Sequence, residues 1–200
     1  MLFIISGPSG AGKTTLVRRV LVDLENIDFT ISHTTRKIRN GEEEGKDYYF
    51  ISDDEFKKMI EEDKLAEWAI VHGSYYGTSK REIEKKGVKG DLLLDIDIQG
   101  AQQMRKRAKK AIFIFILPPL FQELKRRLEF RSLESSASIQ NRLENAQKEI
   151  RHYNQFDYIV VNDDLEKAVL ELESIIRCTR SCLALRKKEI LSILQSFAES

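Results

Sequence analysis

Residues Gly7-Pro8-Ser9-Gly10-Ala11-Gly12-Lys13-Thr14, followed by Thr15, fit the pattern GxxxxGK(S/T). The glycines let a backbone wrap until successive N–H groups point inward, and a helix opening behind them adds partial positive charge. Such a loop cradles phosphates. Lys13 is then placed to bridge β- and γ-phosphates, and Thr14 to offer a hydroxyl to Mg²⁺. Asp95 and Asp97, in LLLDIDIQG, are the next chemical candidates. Carboxylates on a buried strand are unfavourable unless they are paired or face a cation, and shared parity would turn both to one sheet face. Asp95 is thus the expected second metal-side group beside Thr14. A second anion site is expected around Ser32-His33-Thr34-Thr35-Arg36-Lys37-Ile38-Arg39. There the forks of Arg36 and Arg39 can converge on one phosphate, with Tyr48 and Tyr76 as phenol donors.

Positioning these groups requires a sheet. Four apolar runs, Leu2–Ser6, Leu92–Ile98, Ala111–Leu117 and Tyr158–Asn162, lack clean alternation, as strands buried on both faces do. Helical patterns over 12–24, 98–108, 121–130, 138–153 and 164–185 separate them. The expectation is an α/β fold with a mostly parallel sheet. Residues 32–81 and 121–152 fit that core poorly and read as inserts at the carboxyl edge of the sheet, where ligands bind. Within the first insert, 47–51 and 65–71 are strand-like, and Ser52 to Glu55 reads as a capping box. Residues 186–200 continue a helical pattern with an apolar set that packs on the core or on a second copy of the chain.

Composition narrows the class. The 200 residues are 42% hydrophobic and 32% charged with a net charge of +1, which suits one globular domain and gives no global signature for nucleic acid. The basic run Arg105–Lys110 reads as a solvated face at a helix end rather than a nucleic-acid patch. The longest apolar run falls well short of the ~20 residues of a membrane helix, and the N-terminus lacks the features of a signal peptide. Cys178 and Cys182 lie on one helical pattern and offer neither a disulfide framework nor a zinc site. A cytoplasmic location follows.

The ordered blocks GPSGAGKTT, SHTTRKIRNGEEEGKDYYF, LAEWAIVHGSYYGTS, LLLDIDIQGA and IVVNDDL resemble guanylate kinase from residue 2 to about 180. The resemblance implies a P-loop three-layer αβα fold with a mostly parallel central sheet, a GMP-binding insert and a helical lid. It implies a domain over 1–185, with core 1–31, 82–120 and 153–185, insert 32–81, lid 121–152, and a C-terminal extension at 186–200. It assigns Gly7 to Thr15 to ATP, with Mg²⁺ accompanying it. Arg36, Arg39, Tyr48 and Tyr76 go to the GMP phosphate, and Ser32, Glu67, Thr78 and Asp97 to guanine. Lys13, Arg36 and the lid arginines Arg131 and Arg142 become the catalytic set. A loop near adenine is implied at Asn162-Asp163-Asp164, though the aspartates suit helix capping better. Phe130-Arg131-Ser132-Leu133, Ser135-Ser136-Ala137 and His33 depart from the family's usual residues. The implied reaction is phosphoryl transfer from ATP to GMP. The alternatives are a kinase for another nucleoside monophosphate and a non-catalytic module of the same fold that binds phosphoproteins.

Overall fold

The computed structural model describes residues 1–88, 90–131 and 136–198. In chain order the elements are β1 (Leu2–Ser6), α1 (Lys13–Asp23), β2 (Ile27–Phe29), β3 (His33–Thr34), β4 (Tyr49–Phe50), α2 (Asp53–Glu61), β5 (Leu65–Val71), β6 (Ser74–Ser79), α3 (Lys80–Gly87), β7 (Asp91–Asp95), α4 (Ile98–Arg107), β8 (Ile112–Leu117), α5 (Phe121–Arg131), α6 (Ser136–Glu149), a 3-10 segment (Ile150–Gln155), β9 (Tyr158–Val161), α7 (Leu165–Arg180) and α8 (Leu183–Ala198).

Five strands form one parallel sheet in the order β2-β7-β1-β8-β9. Alternate residues of each central strand bury on opposite faces. Phe3, Ile5, Leu93, Ile114 and Ile116 pack with Leu16, Val17 and Val20 of α1 and Val169, Leu172 and Ile176 of α7. Ile4, Leu92, Leu94 and Phe113 pack with Ala101 and Met104 of α4. Covering both faces is why these strands read as unbroken apolar runs. A second, four-stranded sheet in the order β4-β3-β6-β5 is built from residues 33–79. Its helix α2 starts on the expected capping box, with Ser52 and Glu55 bonded reciprocally.

The structure moves several expected boundaries. The second core strand ends at Asp95 rather than Ile98, because the Asp97 side chain accepts from Gly100 N–H and caps α4. Strand parity therefore does not relate Asp97 to Asp95. The pattern over 138–153 leaves the α-helix at Glu149 and tightens into the 3-10 segment. The pattern over 164–185 breaks at Ser181 and Cys182, where Ser181 caps α7 and α8 begins. Arg180 ends α7 on the core, bonded to Asp91 and the Glu25 carbonyl. Beyond it Leu183, Leu191, Leu194 and Phe197 of α8 are exposed rather than packed on the core.

The basic run is not uniformly solvated either. Arg107 Nη1 donates to the carbonyls of Leu65 and Ala66, at 3.0 and 2.6 Å. These carbonyls lie at a register shift between Leu65 and Glu67, where β5 slips against β6. A bulge leaves backbone groups out of the ladder and re-aims the next side chain. Arg107 satisfies the former, and Glu67 is the side chain re-aimed.

Candidate active site

The carboxyl ends of β1 and β7, the start of α1, the second sheet and α6 enclose a cavity of about 940 Å³. Its walls include Gly7, Ser9, Gly10, Gly12, Lys13 and Thr14 on one side, and Ser32, Arg39, Tyr48, Glu67 and Tyr76 on the other. Asp95 and Asp97 lie between, with Asn141, Arg142 and Glu149 of α6. The expected loop and the expected second anion site thus face one space.

The loop is shaped for a ligand. Gly10 and Gly12 sit at φ near +90°, at 90° and 92°, where a side chain would be strained. Gly12 is the N-cap of α1 and supplies no side-chain cap, and the first turn carries no acid. The helix N-terminus therefore keeps its positive end unquenched. The Lys13 ammonium turns back onto the Gly7 carbonyl at 2.6 Å and the Pro8 carbonyl at 3.4 Å. Asp95 faces Lys13, whose charge opposes the upward push that burial gives the Asp95 carboxyl. Pro8, Ala11 and Thr15 belong to the loop and helix start but not to the cavity wall.

Asn162, at the end of β9, was expected near adenine. It is buried and donates from Nδ2 to the Ala11 carbonyl at 2.7 Å. Its own carbonyl accepts from Arg127 of α5 at 3.0 Å. Asn162 is therefore a wedge between the loop and α5, while Asp164 caps α7 by accepting from Lys167 N–H. Replacing Asn162 by alanine strands the Ala11 carbonyl. The expected loss is ~1–3 kcal/mol of unfolding free energy, measured by urea titration, and a change near zero would remove the wedge role.

On the opposite wall, Glu67 is only 3% exposed, and its Oε1 has no hydrogen-bond partner. Burial pushes its carboxyl up to about 7, against the lowering effect of Thr78 and with the Asp97 charge adding to the rise. Gly100 of α4 backs it, since a Cβ there would collide with the carboxylate. Ser32 and Thr78 share a hydroxyl–hydroxyl bond of 3.0 Å. Asp97 spends one oxygen on Gly100 N–H at 2.8 Å and the other on Gln99 at 3.1 Å. Burial raises its carboxyl, and these bonds oppose the rise.

The arginines divide. Arg39 lines the cavity. Arg36 does not. Its fork closes on Glu42 at 2.8 and 2.9 Å, and its Nε donates to the Tyr76 hydroxyl at 3.0 Å. Burial works against the Arg36 charge, but the bond to Glu42 overrides it and holds the group protonated. Tyr48 lies beneath, its ring 5.3 Å from the guanidinium, and burial pushes its phenol up to about 12, so it remains a donor. Arg142 reaches Ser9 Oγ at 2.8 Å. Arg131 ends α5, and its side chain, with residues Ser132, Leu133 and Ser135, lies outside the described residues. His33 packs on Tyr49, with ring centroids 4.8 Å apart. Sequence reasoning missed Glu42, Asn141, Glu149 and Arg107, because each is an ordinary charged or polar residue on a polar stretch until the fold aims it.

The sequence model of the guanylate kinase family matches residues 1–179. A guanylate kinase of Geobacter metallireducens is 48% identical over 193 residues, covering 96% of this chain and 95% of the relative. One from Geobacter sulfurreducens is 51% identical over 177 residues, covering 88% and 87%. The crystal structure of guanylate kinase from Anaplasma phagocytophilum superposes with a TM-score of 0.76 at 33% identity, covering 91% of this chain and 87% of that one.

Proposed function

We propose how the work is divided in a chain that belongs to the guanylate kinase family and catalyses the ATP-dependent phosphorylation of GMP. The observation that carries the proposal is the Glu67 carboxylate, buried with a free acceptor on the wall facing Lys13. Guanine presents N1–H and N2–H₂ donors side by side, and one carboxylate can accept from both. Adenine presents an acceptor at N1, which Glu67 would repel. Ser32 and Thr78 offer hydroxyls to O6, and Asp97 completes the wall. A pocket built to satisfy such polar groups rejects the wrong base strongly.

Arg39, Tyr48 and Tyr76 hold the GMP phosphate, and Arg36, closed on Glu42, acts beside them through its bond to the Tyr76 hydroxyl. Gly7 to Thr15 hold the ATP phosphates through loop N–H groups, the start of α1 and Lys13. The acceptor is already a phosphate oxygen with a second pKa near ~6, so no general base is required. Positioning and charge neutralisation carry the reaction, with Arg142 and Arg131 brought onto the transferring group by the lid.

Thr14 and Asp95 supply two hard oxygen donors, and among the described residues no group of three or more His, Cys, Asp or Glu side chains gathers to cage a metal. That donor set suits Mg²⁺, which keeps waters and takes its other ligands from substrate phosphates. When bound, it would offset phosphate charge. The domain reading is the insert 32–81 and lid 121–152 around a core of 1–31, 82–120 and 153–185, with 186–200 as an extension. The exposed apolar residues of α8 support association of copies. The location in this reading is the cytoplasm and the partners are ATP and GMP; among the described residues no helix is long and apolar enough to cross a membrane.

A coupled ADP-release assay with ATP and GMP, dGMP, AMP, CMP or UMP tests the substrate reading. Turnover should be confined to GMP and dGMP. Comparable rates with AMP would overturn the role given to Glu67.

A further inference from the structure

β5 is an outer strand of the second sheet, paired to β6 on one side, and α4 lies against it. The backbone groups on the outer side of such a strand need partners. Gln103 of α4 supplies them at Trp68. Its Nε2 donates to the Trp68 carbonyl at 2.6 Å, and its Oε1 accepts from the Trp68 N–H at 3.2 Å. One side-chain amide thus exchanges two bonds with one residue, as a paired strand would. Four residues on, and so on the same helix face, Arg107 donates to the carbonyls of Leu65 and Ala66. Three residues before Gln103, Gly100 leaves the room that the Glu67 carboxylate occupies. Both peptide groups that flank the Glu67 Cα are therefore held from α4. Arg107 holds the Ala66–Glu67 peptide by its carbonyl, and Gln103 holds the Glu67–Trp68 peptide by its N–H.

We propose that Gln103 is a positioning residue for guanine recognition: with Arg107 it fixes the backbone on both sides of Glu67 and so sets the direction in which that carboxylate meets the base. The register shift between Leu65 and Glu67 interrupts the ladder to β6 at this point, and a bulged outer strand has little stiffness of its own. A helix that pins it by two side chains supplies the stiffness. The same helix carries Asp97 as its N-cap, so one rigid element references two groups of the guanine wall to each other. A small misplacement of a recognition group is enough to lose its bond. The proposal rests on reading Glu67 as the guanine acceptor, which Glu67→Gln tests separately.

Two variants and a control separate positioning from plain support of the strand. Gln103→Met keeps an unbranched chain of similar length and loses both bonds. Gln103→Asn keeps the amide and withdraws it by one methylene. Gln102→Met is the control, since the Gln102 amide bonds Gln155 at the surface rather than β5. Steady-state kinetics should show KM for GMP rising about 3- to 10-fold in both Gln103 variants, the scale of a lost hydrogen bond. KM for ATP and kcat should stay near native, the GMP/AMP ratio of specificity constants should fall, and Gln102→Met should match the native enzyme. In a Glu67→Gln background Gln103→Met should add little, because the group it positions is already spoiled. The asparagine variant keeps the position polar, so it decides the matter even where methionine impairs folding. A native GMP/AMP ratio in the Gln103 variants would overturn the proposal. So would additive losses in the double variant, or equal losses toward ATP and GMP, which mark a general effect on the fold. An unchanged ratio in Glu67→Gln alone would instead overturn the reading of Glu67, and the proposal with it.

Discussion

Lys13→Ala should lower turnover with ATP and GMP by about 10³-fold, the scale seen when one preorganised cation or donor is removed from a phosphoryl or oxyanion site. The ammonium lines the cavity, makes its bonds to the Gly7 and Pro8 carbonyls, and is not part of the apolar clusters on either side of the sheet. Thermal unfolding should therefore hardly change. GMP binding, measured by calorimetry without ATP, should also persist, because Glu67, Arg39 and Tyr48 stand on the opposite wall. The expected signature is a collapse in kcat with fold and GMP affinity retained. Near-native turnover in a folded Lys13→Ala protein would take the loop out of the mechanism and leave Arg39 and Arg142 as the cations of the reaction.

The loop and its lysine were legible in the sequence because the pattern, the buried strand before it and the helix after it all act locally. The parallel sheet was legible for a related reason: strands covered on both faces lose the alternation that would mark one face as wet. Glu67 could be named only through resemblance. Its aim depends on a register shift in β5 and on Arg107, far along the chain, donating to the displaced carbonyls. Asp97 lines the cavity as the cap of α4, not through the strand parity expected of it. Glu42 and Glu149 were given no role, Glu42 because it stands beside Glu43 and Glu44, and Glu149 because it ends an ordinary polar helix. Long-range pairings of this kind carry no periodicity, so pattern reading cannot reach them.

Glu67→Gln should separate base recognition from phosphate recognition. The substitution preserves size and replaces one guanine-facing oxygen with an amide donor. At least one bond to N1–H or N2–H₂ is lost and a donor faces a donor, at ~1–3 kcal/mol. Efficiency with GMP should fall about 5- to 150-fold, since 1.4 kcal/mol is tenfold, and discrimination against AMP should shrink because the repelling charge is gone. Arg39→Ala should weaken GMP and AMP alike, since a phosphate is common to both. The variant also carries a pH signature. Burial raises the Glu67 carboxyl to about 7 in the free protein, so its stabilising contribution is full below the ordinary carboxylate range and is lost as pH rises through 7. Stability of the ligand-free protein should fall across that window, and less so in Glu67→Gln. Guanine's donors favour the ionised form, so GMP binding should expel a proton below pH 7, and KM for GMP should rise as pH drops. The GMP phosphate titrates nearby, but it does so equally in Glu67→Gln, and the difference between the two profiles isolates Glu67. Specificity constants for GMP and AMP, measured between pH 5.5 and 8.5, decide both points. An unchanged GMP/AMP ratio, or profiles that superpose, would remove the guanine site from this wall.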